Sequence, residues 1–113
     1  MISRGSVWWV DLGEPVGSQP GFVRPAVIVS ADAFNNSAIA TVVVVAITSS
    51  LRLGEAPGNV ALPLGAGGLP KSSVVNVSQV ATIDKASLIE EIGRLTDEQL
   101  ESVERGLRMA LTL

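Results

Sequence analysis

Residues 41–48 read Thr41-Val-Val-Val-Val-Ala-Ile-Thr48, and every residue except Ala46 is β-branched. Such side chains are stiff at χ1 and fit a pleated surface, so the run predicts a β-strand. A strand with one wet face alternates apolar and polar residues. This one is apolar on both faces, which predicts a central strand buried from both sides. It must therefore have strands beside it and apolar layers above and below.

Upstream, P-A-V-I-V-S at 25–30 predicts a short apolar strand with its proline at the start, where a missing N–H is tolerated. S-V-W-W-V-D-L at 6–12 predicts another. Trp8, Val10 and Leu12 are assigned to its core face and Val7, Trp9 and Asp11 to the opposite one. Both tryptophans read as packing residues, although Trp9 beside Asp11 also suits a subunit contact or ligand surface. Residues 31–38 are polar, with Ser30 or Asp32 placed to cap a single helical turn.

Downstream, residues 51–57 read as a loop and 59–64 as a short strand. The run P-L-G-A-G-G-L-P at 63–70 lacks the lysine and spacing of a phosphate-binding loop and reads as a flexible turn. Residues 73–83, S-V-V-N-V-S-Q-V-A-T-I, alternate, but each face mixes polar with apolar residues. That predicts a bend or bulge near Ser78-Gln79. Asp84 caps a predicted helical turn, and residues 89–95 form the last predicted strand. Thr96-Asp-Glu-Gln99 is a capping box. It opens an amphipathic helix whose stripe is Leu100, Val103, Leu107, Ala110 and Leu111. The sum is one α+β, mainly β domain over residues 1–113: a small barrel with a C-terminal helix.

Composition limits the chemistry. The chain has 113 residues and no cysteine or histidine. This removes disulfides, thiolate sites and the commonest general base and metal ligand. The acids are scattered, so no metal site is expected, and no cofactor. Residues are 47% hydrophobic but only 4% aromatic, which points to an aliphatic core with further surface buried in an oligomer. No run is long enough to span a membrane, and the first residues lack the basic region and apolar segment of a signal peptide. The expectation is a cytoplasmic protein with no membrane contact. The net charge is −3, which taken whole disfavours nucleic acid. Yet residues 1–80 carry four cations and four acids, whereas residues 81–113 carry four cations and seven acids. The acidity belongs to the C-terminal third.

Two polar stretches stand out. Residues 13–24, G-E-P-V-G-S-Q-P-G-F-V-R, form a long glycine- and proline-rich loop ending in Arg24, which Pro25 biases toward extended geometry. Thr48-Ser49-Ser50 is the exit of the central strand. If the two converge, they suit a phosphodiester. A guanidinium fork matches phosphate, and hydroxyls donate to non-bridging oxygens. RNA carries its own nucleophile, the 2′-OH, so cleavage needs neither a protein nucleophile nor a metal. The plain alternatives are a surface ion pair for Arg24 and an ordinary strand end for Thr48.

The segments R-G-S-V-W-W-V-D-L, G-S-Q-P-G-F-V-R-P-A-V-I-V-S, A-I-T-S-S, S-V-V-N-V-S-Q-V-A-T-I-D-K and L-x-x-V-x-x-G-L-x-x-A-L-x-L occur in this order. Together they resemble the MazF/PemK family of toxin endoribonucleases over essentially the whole chain. The resemblance implies an SH3-like barrel with a C-terminal helix. It implies sequence-selective, metal-independent cleavage of single-stranded RNA (mRNA), giving a 2′,3′-cyclic phosphate or 3′-phosphate and a 5′-hydroxyl. By the same resemblance Arg24 and Thr48 are catalytic. Gly17, Ser18, Gln19, Phe22 and Gln79 meet the RNA, with Ser73 and Asn76 beside its path; Ser49, as a hydroxyl beside Thr48, is read as a further substrate contact. A homodimer with its groove along the subunit interface is implied, as is a cognate antitoxin that blocks the groove. Gln19, where the family often has glutamate, and Ala81, where it often has arginine or lysine, are departures expected to shift RNA preference. The alternative on the same barrel is a non-catalytic binding module of the gyrase-inhibitor kind.

Overall fold

The computed structural model describes residues 1–18 and 21–113. In chain order the elements are β1 (Ser6–Asp11), β2 (Val23–Ile28), α1 (Asp32–Asn35), β3 (Thr41–Thr48), β4 (Val60–Leu62), β5 (Ser73–Asp84), β6 (Leu88–Arg94) and α2 (Asp97–Leu111). The strands form one six-stranded antiparallel sheet in the order β4-β5-β3-β2-β1-β6. β3 has the predicted bounds and lies in the interior of the sheet. Val45 and Ile47 enter one apolar cluster, with Val7, Val27, Leu62, Leu69, Val75, Val77, Leu95 and Val103. Val42 and Val44 enter the other, with Val10, Ala26 and Ile28. Its two-sided apolar character is thus used in full. β1 also serves both layers, so Val7 is a core residue and not the outward one the alternation suggested.

The sheet curls into a half-barrel. A 3-10 turn at Ala66–Gly68, just past edge strand β4, packs onto the opposite edge, β6. Added Cβ atoms at Gly68 and Gly93 would lie 1.8 Å from the Ile92 carbonyl oxygen and 2.3 Å from that of Gly67. Only glycine permits backbones this close. The glycine-rich run is therefore a tightly seated closure, not the flexible turn its composition suggested. It also buries Leu69 and protects an edge that would otherwise offer unpaired backbone groups.

Residues 51–57, read as a loop, contain a 3-10 turn at Leu51–Glu55. The bend in β5 is real. The β3–β5 register holds from Thr41↔Asp84 to Val45↔Val80, then resumes at Ile47↔Val75. The extra residues between Val75 and Val80 carry the bulge, and they allow β5 to feed both cores along its length.

β2 starts earlier than expected. Val23 and Arg24 already pair with Asp11 and Val10, so Pro25 is the third residue of the strand. Val29 N–H donates to the Val43 carbonyl, and Gly5 N–H to that of Ile28. Backbone direction alternates along a strand, so Val27 and Pro25 also face β3. Proline has no N–H to give, and the β2–β3 pairing stops at Ala26↔Ala46.

α2 begins at the predicted capping box. Gln99 N–H donates to Thr96 Oγ1 (3.2 Å) and Thr96 N–H to Gln99 Oε1 (2.9 Å). Val103 is fully buried and Leu107 packs against the first cluster, but Ala110 and Leu111 are exposed. The last turn projects past the sheet, so the apolar stripe is longer than the surface it covers. Arg4 ties the helix to the N-terminal segment. Its guanidinium meets Glu104 at 2.5 Å and Val29 O at 3.0 Å, and its backbone N–H donates to Asp32 Oδ1 at 2.7 Å.

The helix seats on a glycine pair. A Cβ at Gly106 would lie 2.1 Å from the Gly58 carbonyl oxygen, a backbone atom that cannot swing away. Gly106→Ala is expected to destabilise by about 1–3 kcal/mol, as overpacking does. Urea unfolding followed by far-UV circular dichroism measures it. An unchanged midpoint would mean that α2 lifts from Gly58 at no cost.

Candidate functional site

Three strand ends meet at one end of the sheet. β2 begins there, β3 ends there and β5 begins there. Continuing the β2–β3 register two residues past Ala26↔Ala46 sets Arg24 opposite Thr48, and on its other side Thr48 pairs with Val74. The two residues singled out from sequence thus face each other where Pro25 has interrupted the ladder. The gap is part of a cleft of about 390 Å³ lined by Arg24, Pro25, Ile47, Thr48 and Ser49, with Phe22, Val23 and Trp9 on one side and Leu69, Pro70, Lys71 and Ser73 on the other.

Each polar group has a defined orientation. Arg24 Nε donates to the Gly21 carbonyl at 3.0 Å, and its terminal nitrogens have no partner among the described residues. A guanidinium held at Nε presents its outer pair of N–H groups as a fork. Thr48 Oγ1 accepts from Ser50 N–H at 3.1 Å. With a lone pair engaged, the hydroxyl proton is free to be donated into the cleft. Among the described residues no Asp or Glu lines the cleft, although the chain has eleven acids and a net charge of −3. With Arg24 and Lys71 in its lining and no described acid, the cleft is a local positive site.

Phe22 stands at the rim. Its backbone is in the left-handed region (φ 60°), and its ring is 62% exposed. A non-glycine residue there carries strain of about 1–3 kcal/mol. Phe22 N–H donates to Gly13 O and its carbonyl accepts from Leu12 N–H, so the strained residue closes the loop on β1. Gly21 lies so close to Pro15 that a side chain would collide with it.

The other sequence-predicted residues divide. Ser49 and Ser73 join Arg24 and Thr48. Ser18 and Gln79 line a neighbouring cleft of about 930 Å³ with Leu12, Val16 and Ala81. Gln79 Nε2 donates to the Ser18 carbonyl at 3.3 Å and so links the loop to β5. Gly17 is exposed in the same loop with φ 60°. Gln19 lies outside the described residues. Asn76 joins neither cleft. Its Oδ1 accepts from Asn59 Nδ2 (3.2 Å) and Ser78 Oγ (3.0 Å), bonds that brace the β5 bulge. Lys71 and Trp9 were not singled out from sequence. Lys71 follows a glycine-rich run that reads as punctuation, and only the register of β3 with β5 brings it to Thr48. Among the described residues no cluster of acids could hold a metal ion. No helix is long and apolar enough to cross a membrane.

Fold and cleft together define a small half-barrel that offers a cationic, hydroxyl-lined gap at one end of its sheet. Residues 3–111 match the family described as PemK-like, MazF-like toxin of type II toxin–antitoxin system. The chain is 42% identical over 113 residues to endoribonuclease MazF6 of Mycobacterium tuberculosis, covering 100% of this chain and 99% of that one. It is 34% identical over 113 residues to endoribonuclease EndoA of Bacillus subtilis, covering 100% and 97%. A solved mycobacterial endoribonuclease in complex with its cognate antitoxin superposes with a TM-score of 0.82 at 29% identity, covering 100% of this chain and 97% of that one. The chain belongs to the PemK-like, MazF-like toxins of type II toxin–antitoxin systems, and its function is that of an endoribonuclease toxin.

The Phe22 geometry yields a test of strain. Phe22→Gly relieves the left-handed backbone and loses little burial, while glycine's greater unfolded-state freedom offsets about 0.5–1 kcal/mol of the gain. The thermal midpoint is expected to stay or rise. A loss above about 2 kcal/mol would show instead that the ring packs in the folded state.

Proposed function

We propose that the Arg24–Thr48 cleft is where single-stranded RNA is cut, and that the cut is sequence-selective and needs no metal. The observation that carries this reading is the pair itself: a guanidinium fork with no partner among the described residues, and a hydroxyl donor, together in a cleft that no described acid lines. In the proposed reaction the ribose 2′-oxygen attacks the adjacent phosphorus and the bond from phosphorus to the 5′-oxygen breaks. The 2′-hydroxyl proton is lost and the leaving oxygen gains one. The products are a 2′,3′-cyclic phosphate, which can open to a 3′-phosphate, and a 5′-hydroxyl. Negative charge grows on the non-bridging oxygens in the transition state. Donors fixed beforehand lower its energy because they need not reorganise. Arg24 and Thr48 are assigned that role, with Ser49 as a further hydroxyl.

Phe22 is assigned to base stacking, since an exposed ring offers a π-face to any base. Ser18, Gly17 and Gln79, beside the larger cleft, are assigned to the flanking nucleotides, and Gln19 to the same loop. Single-stranded RNA is read by such stacking and by contacts to splayed bases. Asn76 is kept only as a brace for that surface. We also infer a single functional domain, a cytoplasmic location, a homodimer and a cognate antitoxin. Supporting the last is the relative solved with its antitoxin. Exposed Val16, Ile89, Met109, Leu111 and Leu113 support further burial between subunits. Sedimentation of a monomer at micromolar concentration would remove the dimer.

Purified protein is expected to cleave a long RNA in excess EDTA, with primer extension mapping recurrent cut sites. Arg24→Ala and Thr48→Ala should each lower the rate by about 10²–10³. Phe22→Gly should weaken RNA binding by about 5–100-fold, the worth of one stacked base. Wild-type cleavage by both the Arg24 and Thr48 variants would dismiss this assignment.

A further inference from the structure

Lys71 shares the cleft with Arg24 and Thr48 yet is absent from the roles assigned above. Its surroundings are unusual for a surface lysine. Leu69, two residues before it, is 2% exposed, and Ser73, two residues after, is 4% exposed. Ser73 Oγ donates to the Lys71 carbonyl at 2.9 Å. An exposed ammonium is therefore carried on a backbone anchored from both sides. The pairing of Thr48 with Val74 fixes that backbone beside the end of β3. Lys71 has no ion-pair partner among the described residues, and none of the acids lines the cleft. Two like charges thus face one gap without compensation, which costs free energy until an anion enters.

Resting on the endoribonuclease reading, we propose that Lys71 is a substrate-binding residue that takes the phosphate next to the scissile one, and that Ser73 positions it through its backbone without touching RNA. Arg24 and Thr48 already offer donors for both non-bridging oxygens of one phosphate. A third donor is better matched to the next phosphate along the chain, and a compact ammonium suits it as a point charge. Ser73, nearly inaccessible and with its hydroxyl proton committed to Lys71, is poorly placed to meet a polymer directly.

The test uses the full chain and a short RNA spanning a mapped cut site, made uncleavable by a 2′-deoxy sugar at the scissile nucleotide. Affinity is measured against sodium chloride concentration for wild type, Lys71→Gln, Lys71→Arg and Arg24→Ala. Losing one phosphate contact to a single strand should flatten the log–log slope by about 0.7. Lys71→Gln should show this, with about tenfold weaker binding at low salt and, on the cleavable all-ribose RNA, a rise in KM rather than a fall in kcat. Lys71→Arg should keep the wild-type slope. Ser73→Ala should weaken binding in the wild-type background and have no effect in the Lys71→Gln background. A slope unchanged by Lys71→Gln, while Arg24→Ala still lowers the cleavage rate, overturns the Lys71 assignment alone. A Ser73→Ala penalty that persists without Lys71 overturns the positioning role. If wild type neither cuts nor binds RNA, the underlying reading falls and takes this proposal with it.

Discussion

β3 is buried on both faces, and the rest of the molecule follows from that constraint. A strand with two apolar faces needs two cores, so each neighbouring strand must present apolar residues in both directions. β2 does so with Val27 against Ala26 and Ile28, and β5 does so by means of a bulge that changes its register halfway along. The helix and the Ala66–Gly68 closure both cover the core that holds Val45 and Ile47. Burial of this kind leaves little freedom inside the sheet. Departures from regular pairing are pushed to the strand ends, and the ends of β2, β3 and β5 are where the cleft lies.

Pro25 leaves a cleft at that strand end. With an ordinary residue at 25, β2 could bond to β3 as far as the Ile47 position and close the gap. Without its N–H the ladder stops at Ala26, yet β2 remains paired with β1 through Arg24 to Val23. Arg24 is therefore rigid in backbone on one side and open on the other. Thr48 faces the same gap from β3. The chemistry assigned to the pair needs donors held still before the reaction, and paired strands supply this better than a loop does. A chain with no histidine and no cysteine has few other ways to stabilise a charged transition state. The acids that make the protein negative lie mainly in its C-terminal third, and among the described residues none lines the cleft.

The legible parts of the fold were those with a local signature. β-branched residues without alternation marked β3 to the residue, and the Thr96–Gln99 box marked the start of α2. Arg24 and Thr48 could be singled out because each sits at a predicted strand boundary, and the structure brings both into the lining of one cleft. The illegible parts depended on what packs opposite. Glycines 67, 68 and 93 look like loosening elements in sequence, but in the fold they allow two backbones to touch. Ala110 and Leu111 continue a helical period after the sheet beneath them has ended. Pro25 marked a strand start locally, whereas its pairing with Trp9 places it inside the strand. Lys71 carries no signal of its own, because its proximity to Thr48 is created by a register between residues far apart in sequence.

The two halves of the 13–25 stretch are held by different physics, and this bears on how such a protein can change its target. The Arg24 end is part of the sheet, so altering its position would disturb β1, β2 and the core between them. The loop from Gly13 to Phe22 is attached at a few points: the backbone bonds of Phe22 to Gly13 and Leu12, the close approach of Gly21 to Pro15, and the Gln79–Ser18 bond. The described side chains of residues 13–18 and Phe22 are exposed, so few of them contribute to stability. Phe22 even keeps a strained backbone in order to stand outward. On the proposed reading, the cutting groups are fixed by the fold, while the groups that choose the RNA are nearly free to vary. Substitutions in the loop can then redirect the enzyme without unfolding it.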